Sequence, residues 1–230
     1  MSLKDREQLT NNIIAGLLGK MTPAYGLDDF RSTLASYKDE DHNTLRKNLF
    51  AFLSKLLLLA EELGVKLAIH LDDPPRDLLG LPRIICTADD LKLLFTQLPS
   101  SANGITLCVG TYGSRPDNNL PEMARLFGSR IHFAHLRGVS RDEGEQRSFY
   151  EANHLDSDID MVRVIKELLI EEKNREANGK HSSDIFIRPD HGHQMMDDIN
   201  KSVNPGYSGI GRLKGLVEIP GVIRALSVNI

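Results

Sequence analysis

Apolar positions along the chain alternate between two spacings. Leu45, Leu49, Phe52, Leu53, Leu56, Leu59, Ala60 and Leu63 recur every three or four residues, which predicts an amphipathic helix stopped by Gly64. Val65-Lys66-Leu67-Ala68-Ile69-His70 follows directly, a short apolar run ending on a polar residue and reading as a buried strand. The pattern then repeats. Thr87-Ala88-Asp89-Asp90 is a capping box opening a helix to about Gln97, and Ile105-Thr106-Leu107-Cys108 is a second strand. A helix over Leu120 to Phe127, closed by Gly128, leads into the strand Ile131 to His135. A long charged helix over Asp158 to Ala177 leads into a strand over Asp184 to Arg188.

Two further helices are expected at the start, over Arg6 to Leu18 and Leu27 to Lys38. The tail from Tyr207 to Ala225 is expected to hold two short helices separated near Pro220, because proline interrupts a helix interior. Short buried strands alternating with amphipathic helices imply an α/β fold with a parallel sheet and helices outside it. Four such strands stand out, whereas a full (β/α)₈ barrel needs eight in about 250 residues. The chain therefore reads as one domain over residues 1–230, a partial TIM barrel of about the last four βα units with helical segments at both ends.

Composition narrows the class without changing this picture. The 230 residues are 40% hydrophobic and 26% charged, enough apolar material for one sizeable core. Basic and acidic residues are interspersed and net charge is -4, with no basic block to suggest nucleic acid. The longest apolar run, Leu56 to Ala60, is far too short for a bilayer. The first residues lack the apolar core of a secretory signal. Cys86 and Cys108 make no disulfide framework, so a reducing cytoplasm is the expected location.

The chemistry lies where the strands end. His70, Cys108 and His135 close three successive strands, and Asp190 follows the fourth. In parallel α/β folds these ends share one face, where sites are assembled from several strands. A lone histidine there is more often structural and a lone buried cysteine a small hydrophobe; the repetition of position argues for a shared metal. Two imidazoles, a thiolate and a carboxylate suit Mn²⁺, Fe²⁺ or Zn²⁺, the carboxylate favouring the first two and the thiolate the last. Asp72 and Asp73 precede two prolines in a rigid loop, or else cap a local turn. Arg83 is a candidate carboxylate clamp, or a surface ion pair. His191, beside Asp190, is a candidate acid or base, and Asn204-Pro205-Gly206-Tyr207-Ser208 is a turn able to present the Tyr207 phenol. His132 is expected to face away from His135, His154 to support the site or neighbour a helix cap, and His42 and His181 to lie in polar loops.

Taken together these stretches resemble the mannonate dehydratase family. The resemblance is carried by His70-Leu71-Asp72-Asp73-Pro74-Pro75, Gly80-Leu81-Pro82-Arg83-Ile84, Cys108-Val109-Gly110-Thr111-Tyr112-Gly113 and His135-Leu136-Arg137. It continues through Arg188-Pro189-Asp190-His191-Gly192-His193-Gln194-Met195 and Asn204-Pro205-Gly206-Tyr207-Ser208, with support from residues 12–17 and 211–216. It implies a barrel related to xylose isomerase and dehydration of D-mannonate to 2-dehydro-3-deoxy-D-gluconate with Mn²⁺ or Fe²⁺. It also implies His70, Cys108, His135 and Asp190 as metal ligands, His191 and Tyr207 for proton transfer, and Arg83, Asp72 and Arg137 as substrate contacts. The family's N-terminal segment, with the first barrel strands, has no counterpart in these residues. Leu71 replaces the usual proline and is expected to loosen its loop; Ser157 replaces glycine, straining its turn if the backbone needs positive φ; Thr111 replaces serine. A sugar isomerase or epimerase, or a non-catalytic metal-binding paralogue, are the alternative readings, and assembly as a homo-oligomer is left open.

Overall fold

The computed structural model describes residues 2–15, 27–143, 148–179, 184–204, 206–228 and 230. Its centre is a four-stranded parallel sheet of β1 (Leu67–His70), β2 (Asn103–Cys108), β3 (Ile131–His135) and β6 (Phe186–Arg188), in the order β1-β2-β3-β6. Neighbouring strands in the sheet follow one another along the chain, each joined to the next through helix. That is the winding of a stretch of β/α barrel.

The expected elements form with small shifts at their ends. The first two helices are α1 (Leu3–Ala15) and α2 (Leu27–Ser36); Gly16, Leu17 and Leu18 of the expected first helix lie outside the described residues. The helix before β1, α3 (His42–Glu62), is capped by Asp41, whose carboxylate accepts from Thr44 N. His42 therefore opens a helix rather than sitting in a loop, and its Nε2 lies 2.9 Å from Asp77 Oδ1. His181 lies outside the described residues. Helix α4 (Ala88–Gln97) carries the complete Thr87–Asp90 capping box. A single turn, α5 (Val109–Gly113), precedes α6 (Leu120–Phe127), and α7 (Met161–Ala177) precedes β6. Leu91, Leu94, Met123, Val164 and Ile165 seal the helix layer against Ile105, Leu107 and Ile131 of the central strands.

Two findings depart from expectation. The tail is one continuous helix, α8 (Gly209–Leu226), running through Pro220. Gly211, Gly215 and Ile219 are buried at four-residue spacing and Val222, Ile223 and Leu226 pack on the core beyond them, while Pro220 is exposed. The apolar stripe crosses the proline, so packing outweighs the lost backbone donor. Secondly, a hairpin of β4 (Val139–Arg141) and β5 (Phe149–Glu151) lies between β3 and α7, pairing Val139 with Glu151. Ser157 does not take positive φ; among the described residues Leu79, Asp190 and Met196 are the non-glycine positions that do. Leu71 is buried in the core.

Candidate active site

Register brings the strand-end side chains together. Cys108 is the direct partner of His135 across β2 and β3, and His70 pairs with Thr106 two residues before Cys108. One donor atom from each of His70, Cys108 and His135 lies within 4.8 Å of the other two. Donors on opposite sides of one ion are about 4.4 Å apart for typical metal–nitrogen and metal–sulfur bonds, so small side-chain adjustments suffice to share an ion. His70 Nδ1 lies 2.8 Å from the Leu71 carbonyl oxygen, which accepts only, so that nitrogen carries the proton and Nε2 keeps its lone pair. His135 Nδ1 is buried without a hydrogen-bond partner. A buried ring nitrogen that makes no hydrogen bond, with the Asp190 carboxylate 3.4 Å away, fits a metal ligand.

Asp190 stands beside this triad rather than in it. Its Oδ2 is 3.4 Å from His135 Nδ1 and 3.8 Å from His191 Nε2, and its Oδ1 pairs with Arg188. The Asp190 backbone has φ of 66°. The Pro189 carbonyl ahead of it accepts from buried His154. His132 packs against Gly104 and takes no part in the cluster; burial pushes its imidazole down to about 4.

Immediately next to Asp190 lies a pair able to move protons. His191 Nε2 is 3.2 Å from the Tyr207 hydroxyl, with ring centroids 4.9 Å apart. Tyr207 is delivered by the expected turn: Gly206 takes a φ of 78°, Tyr207 N donates to Asn204 O, and Gly192 bridges to Tyr207; Pro205 lies outside the described residues. Burial, with the nearby Asp190 charge, raises the Tyr207 phenol above its ordinary range and keeps its proton on.

Behind the pair lies a residue the sequence did not single out. Glu151, on β5, has Oε1 2.8 Å from His191 Nδ1 and accepts from Arg137 Nε and Nη2. Burial disfavours a charged Glu151, but the bonds from His191 and Arg137 outweigh it and hold its carboxyl below the usual range. Burial likewise opposes charge on Arg137, and Glu151 and Asp73 reverse that, raising its pKa. Arg137 Nη1 donates to Asp73 Oδ2 at 3.0 Å, and the Thr111 hydroxyl lies between Asp73 and Cys108 Sγ, 3.2 Å from the first and 3.1 Å from the second. Asp72 staples its own loop: its Oδ2 accepts from Ile84 N and Ile85 N, and its Oδ1 is 3.5 Å from Arg83 Nη1. Arg83 Nε is buried without a partner, and Arg83 borders an open cleft of about 680 Å³ with Arg46, Arg76 and Arg115.

The sequence model of the D-mannonate dehydratase (UxuA) family matches residues 1–230. The chain belongs to the mannonate dehydratase family. Among relatives, it is 48% identical to a mannonate dehydratase of a Marinomonas species over 96% of this chain and 56% of that protein. It is also 48% identical to one of Saccharophagus degradans over 99% of this chain and 57% of that protein. The crystal structure of mannonate dehydratase from Streptococcus suis serotype 2 superposes with a TM-score of 0.74 at 34% identity, covering 87% of this chain and 54% of that one. The chain thus spans about half the length of the relatives it matches, and the match places its β/α sheet within the architecture of a mannonate dehydratase. Among the described residues no helix is long and apolar enough to cross a membrane.

Proposed function

We propose that this mannonate dehydratase family member carries the metal-binding and proton-transfer part of a hydro-lyase that converts D-mannonate to 2-dehydro-3-deoxy-D-gluconate. One observation carries the reading: the His70–Cys108–His135 triad and the His191–Tyr207 pair meet on either side of Asp190. His70 through Nε2, Cys108 as thiolate, His135 and Asp190 would hold the ion, a mixed nitrogen, sulfur and oxygen set that suits Mn²⁺ or Fe²⁺. A bound divalent ion supplies Lewis acidity toward the substrate carboxylate and the negative charge that develops beside it.

The chain's own groups account for the protons. Loss of water across C2 and C3 needs a base for the C2 proton and an acid for the departing C3 hydroxyl. His191 and Tyr207, already within hydrogen-bond reach of each other, fill these two places, and a proton passing between them afterwards restores both. Arg83 is the proposed clamp for the substrate carboxylate, with its guanidinium bordering the open cleft and Asp72 holding its position. Arg137 acts on the site through Glu151 and Asp73. The two free, buried thiols support a reducing, cytoplasmic setting.

The test incubates the full chain with D-mannonate and Mn²⁺ and looks for the keto-deoxy acid. Its formation, with loss of both metal binding and turnover in His135→Ala, is the expected result. Turnover by a metal-free His135→Ala protein, or conversion of mannonate without loss of water, would overturn the reading.

A further inference from the structure

We propose that Glu151 is a positioning residue that fixes His191 as the tautomer protonated on Nδ1, so that Nε2 presents its lone pair to the Tyr207 hydroxyl. The inference rests on His191 and Tyr207 being the proton-transfer pair, and it adds what sets that pair's polarity.

Donor and acceptor capacities around the ring decide which nitrogen holds the proton. An ionised carboxylate only accepts hydrogen bonds, and Glu151 accepts from Arg137 Nε and Nη2 through a guanidinium that is always protonated. The same Oε1 lies 2.8 Å from His191 Nδ1, so that nitrogen must bring the proton; the opposite tautomer would point a lone pair at a carboxylate. In the neutral ring, the form a base must take, Nε2 is then the acceptor and the Tyr207 hydroxyl 3.2 Å away is the donor. The pair therefore rests with the basic lone pair on His191 and the mobile proton on Tyr207.

Glu151 is itself held in place. Val139 pairs with Glu151 in the hairpin, and Phe149, two residues away on the same face of β5, lies under the Arg137 guanidinium at 5.7 Å. Arg137 is only 6% exposed and is anchored on its far side by Asp73 and the Thr111 hydroxyl, which reaches Cys108 Sγ. The short hairpin thus orients the imidazole from the same scaffold that seats the strand-end thiol.

The experiment reads the tautomer directly, without turnover. Two-bond ¹H–¹⁵N correlation spectra of the metal-free full chain, with His191 assigned by its loss in His191→Gln, report which ring nitrogen carries the proton. The wild type is expected to be protonated on Nδ1 alone. Glu151→Gln should keep that pattern, because its amide oxygen still accepts; Glu151→Met should move the proton to Nε2. A proton on Nε2 in the wild type or in Glu151→Gln would overturn the proposal, as would an unchanged tautomer in a folded Glu151→Met protein. If Glu151→Met does not fold, the other two spectra decide. Conversion of mannonate by the wild type tests the pair's role separately. Where the chain turns over, Glu151→Met should lower kcat about a hundredfold or more with little change in KM, and an unchanged kcat would count against the proposal.

Discussion

His154 Nε2 lies 3.0 Å from the carbonyl oxygen of Pro189, the residue immediately before Asp190. The imidazole is only 2% exposed and is clamped by Gly215, where an added Cβ would come 2.5 Å from its Cε1. Since a carbonyl only accepts, His154 donates, and it restrains the backbone that sets Asp190 at positive φ. A non-glycine residue in that region costs on the order of 1–3 kcal/mol and persists only where its surroundings enforce it. His154→Leu removes the donor and is expected to cost about 1–3 kcal/mol of stability. It should also weaken Mn²⁺ binding about tenfold although no proposed ligand is touched. Chemical denaturation and a metal titration check this; a variant binding Mn²⁺ as tightly as wild type would show that Asp190 needs no such restraint.

Metal binding should appear as folding stability. An ion that binds only the folded chain stabilises it by about 2.7 kcal/mol at a hundred times its dissociation constant. The unfolding midpoint of the wild type is expected to rise with Mn²⁺ and fall back on chelation. His135→Ala, which removes the ligand carrying the orphan nitrogen, should lose that increment while still folding. An equal Mn²⁺-dependent shift in His135→Ala would mean that the ion sits elsewhere.

The difference between what the sequence disclosed and what it hid has a physical cause. The strands are apolar runs, buried throughout β2 and half-exposed in edge strand β1, so the polar residues His70, Cys108 and His135 that close them mark strand ends, and register does the rest. Glu151 gave no such signal. Phe149-Tyr150-Glu151 is a three-residue strand whose partners lie eight to twelve positions back across a charged stretch of sequence, and a charged residue at its end looks like ordinary surface. Its role depends on Arg137, and nothing local links the two. Pro220 shows the opposite failure: the local rule is clear, but the stripe of Gly211, Gly215, Ile219 and Ile223 extends past it and tertiary packing overrides the break. The contact beside the positive φ of Asp190 likewise comes from a residue remote in sequence, His154 on the Pro189 carbonyl.

Acid should loosen the turn that delivers Tyr207. Asp198 accepts from Ile210 N, Lys201 Nζ and Ser208 Oγ, each at 2.9 Å, tying the 196–198 turn to the start of α8. Those bonds, the Ile210 amide foremost, hold its carboxyl at about 2, against 3.8 ordinarily. Because the folded value is the lower one, this stabilisation is fully present above about pH 4 and is lost as pH falls from there toward 2. Asp198→Asn should therefore lose less stability than wild type between pH 5 and pH 2.5, as read from urea midpoints. Equal losses in the two proteins would remove Asp198 from the acid transition.

Alanine in place of glycine should have opposite effects at Gly192 and Gly221. Gly192 and Gly211 face each other where the Asp190–His191 loop meets the first turn of α8; a Cβ on Gly192 would run into the Gly211 carbonyl carbon and come 2.5 Å from Arg212 N. Both obstacles are backbone, so neither can rotate away, and Gly192→Ala must push the loop off the helix. Overpacking of this kind typically costs about 1–3 kcal/mol, which in a chain of this size is a fall in Tm of roughly 2–12 °C. It should also disturb the His191–Tyr207 pair, since Gly192 N donates to Gly206 O beside it. Gly221, on α8, has nothing within 4 Å of its would-be Cβ. There alanine removes only the entropic penalty of a helical glycine, and a gain of about 0.5–1 kcal/mol is expected. Thermal unfolding of the two variants beside wild type decides it: displacement in the same direction would mean that close approach of two backbones does not govern these sites.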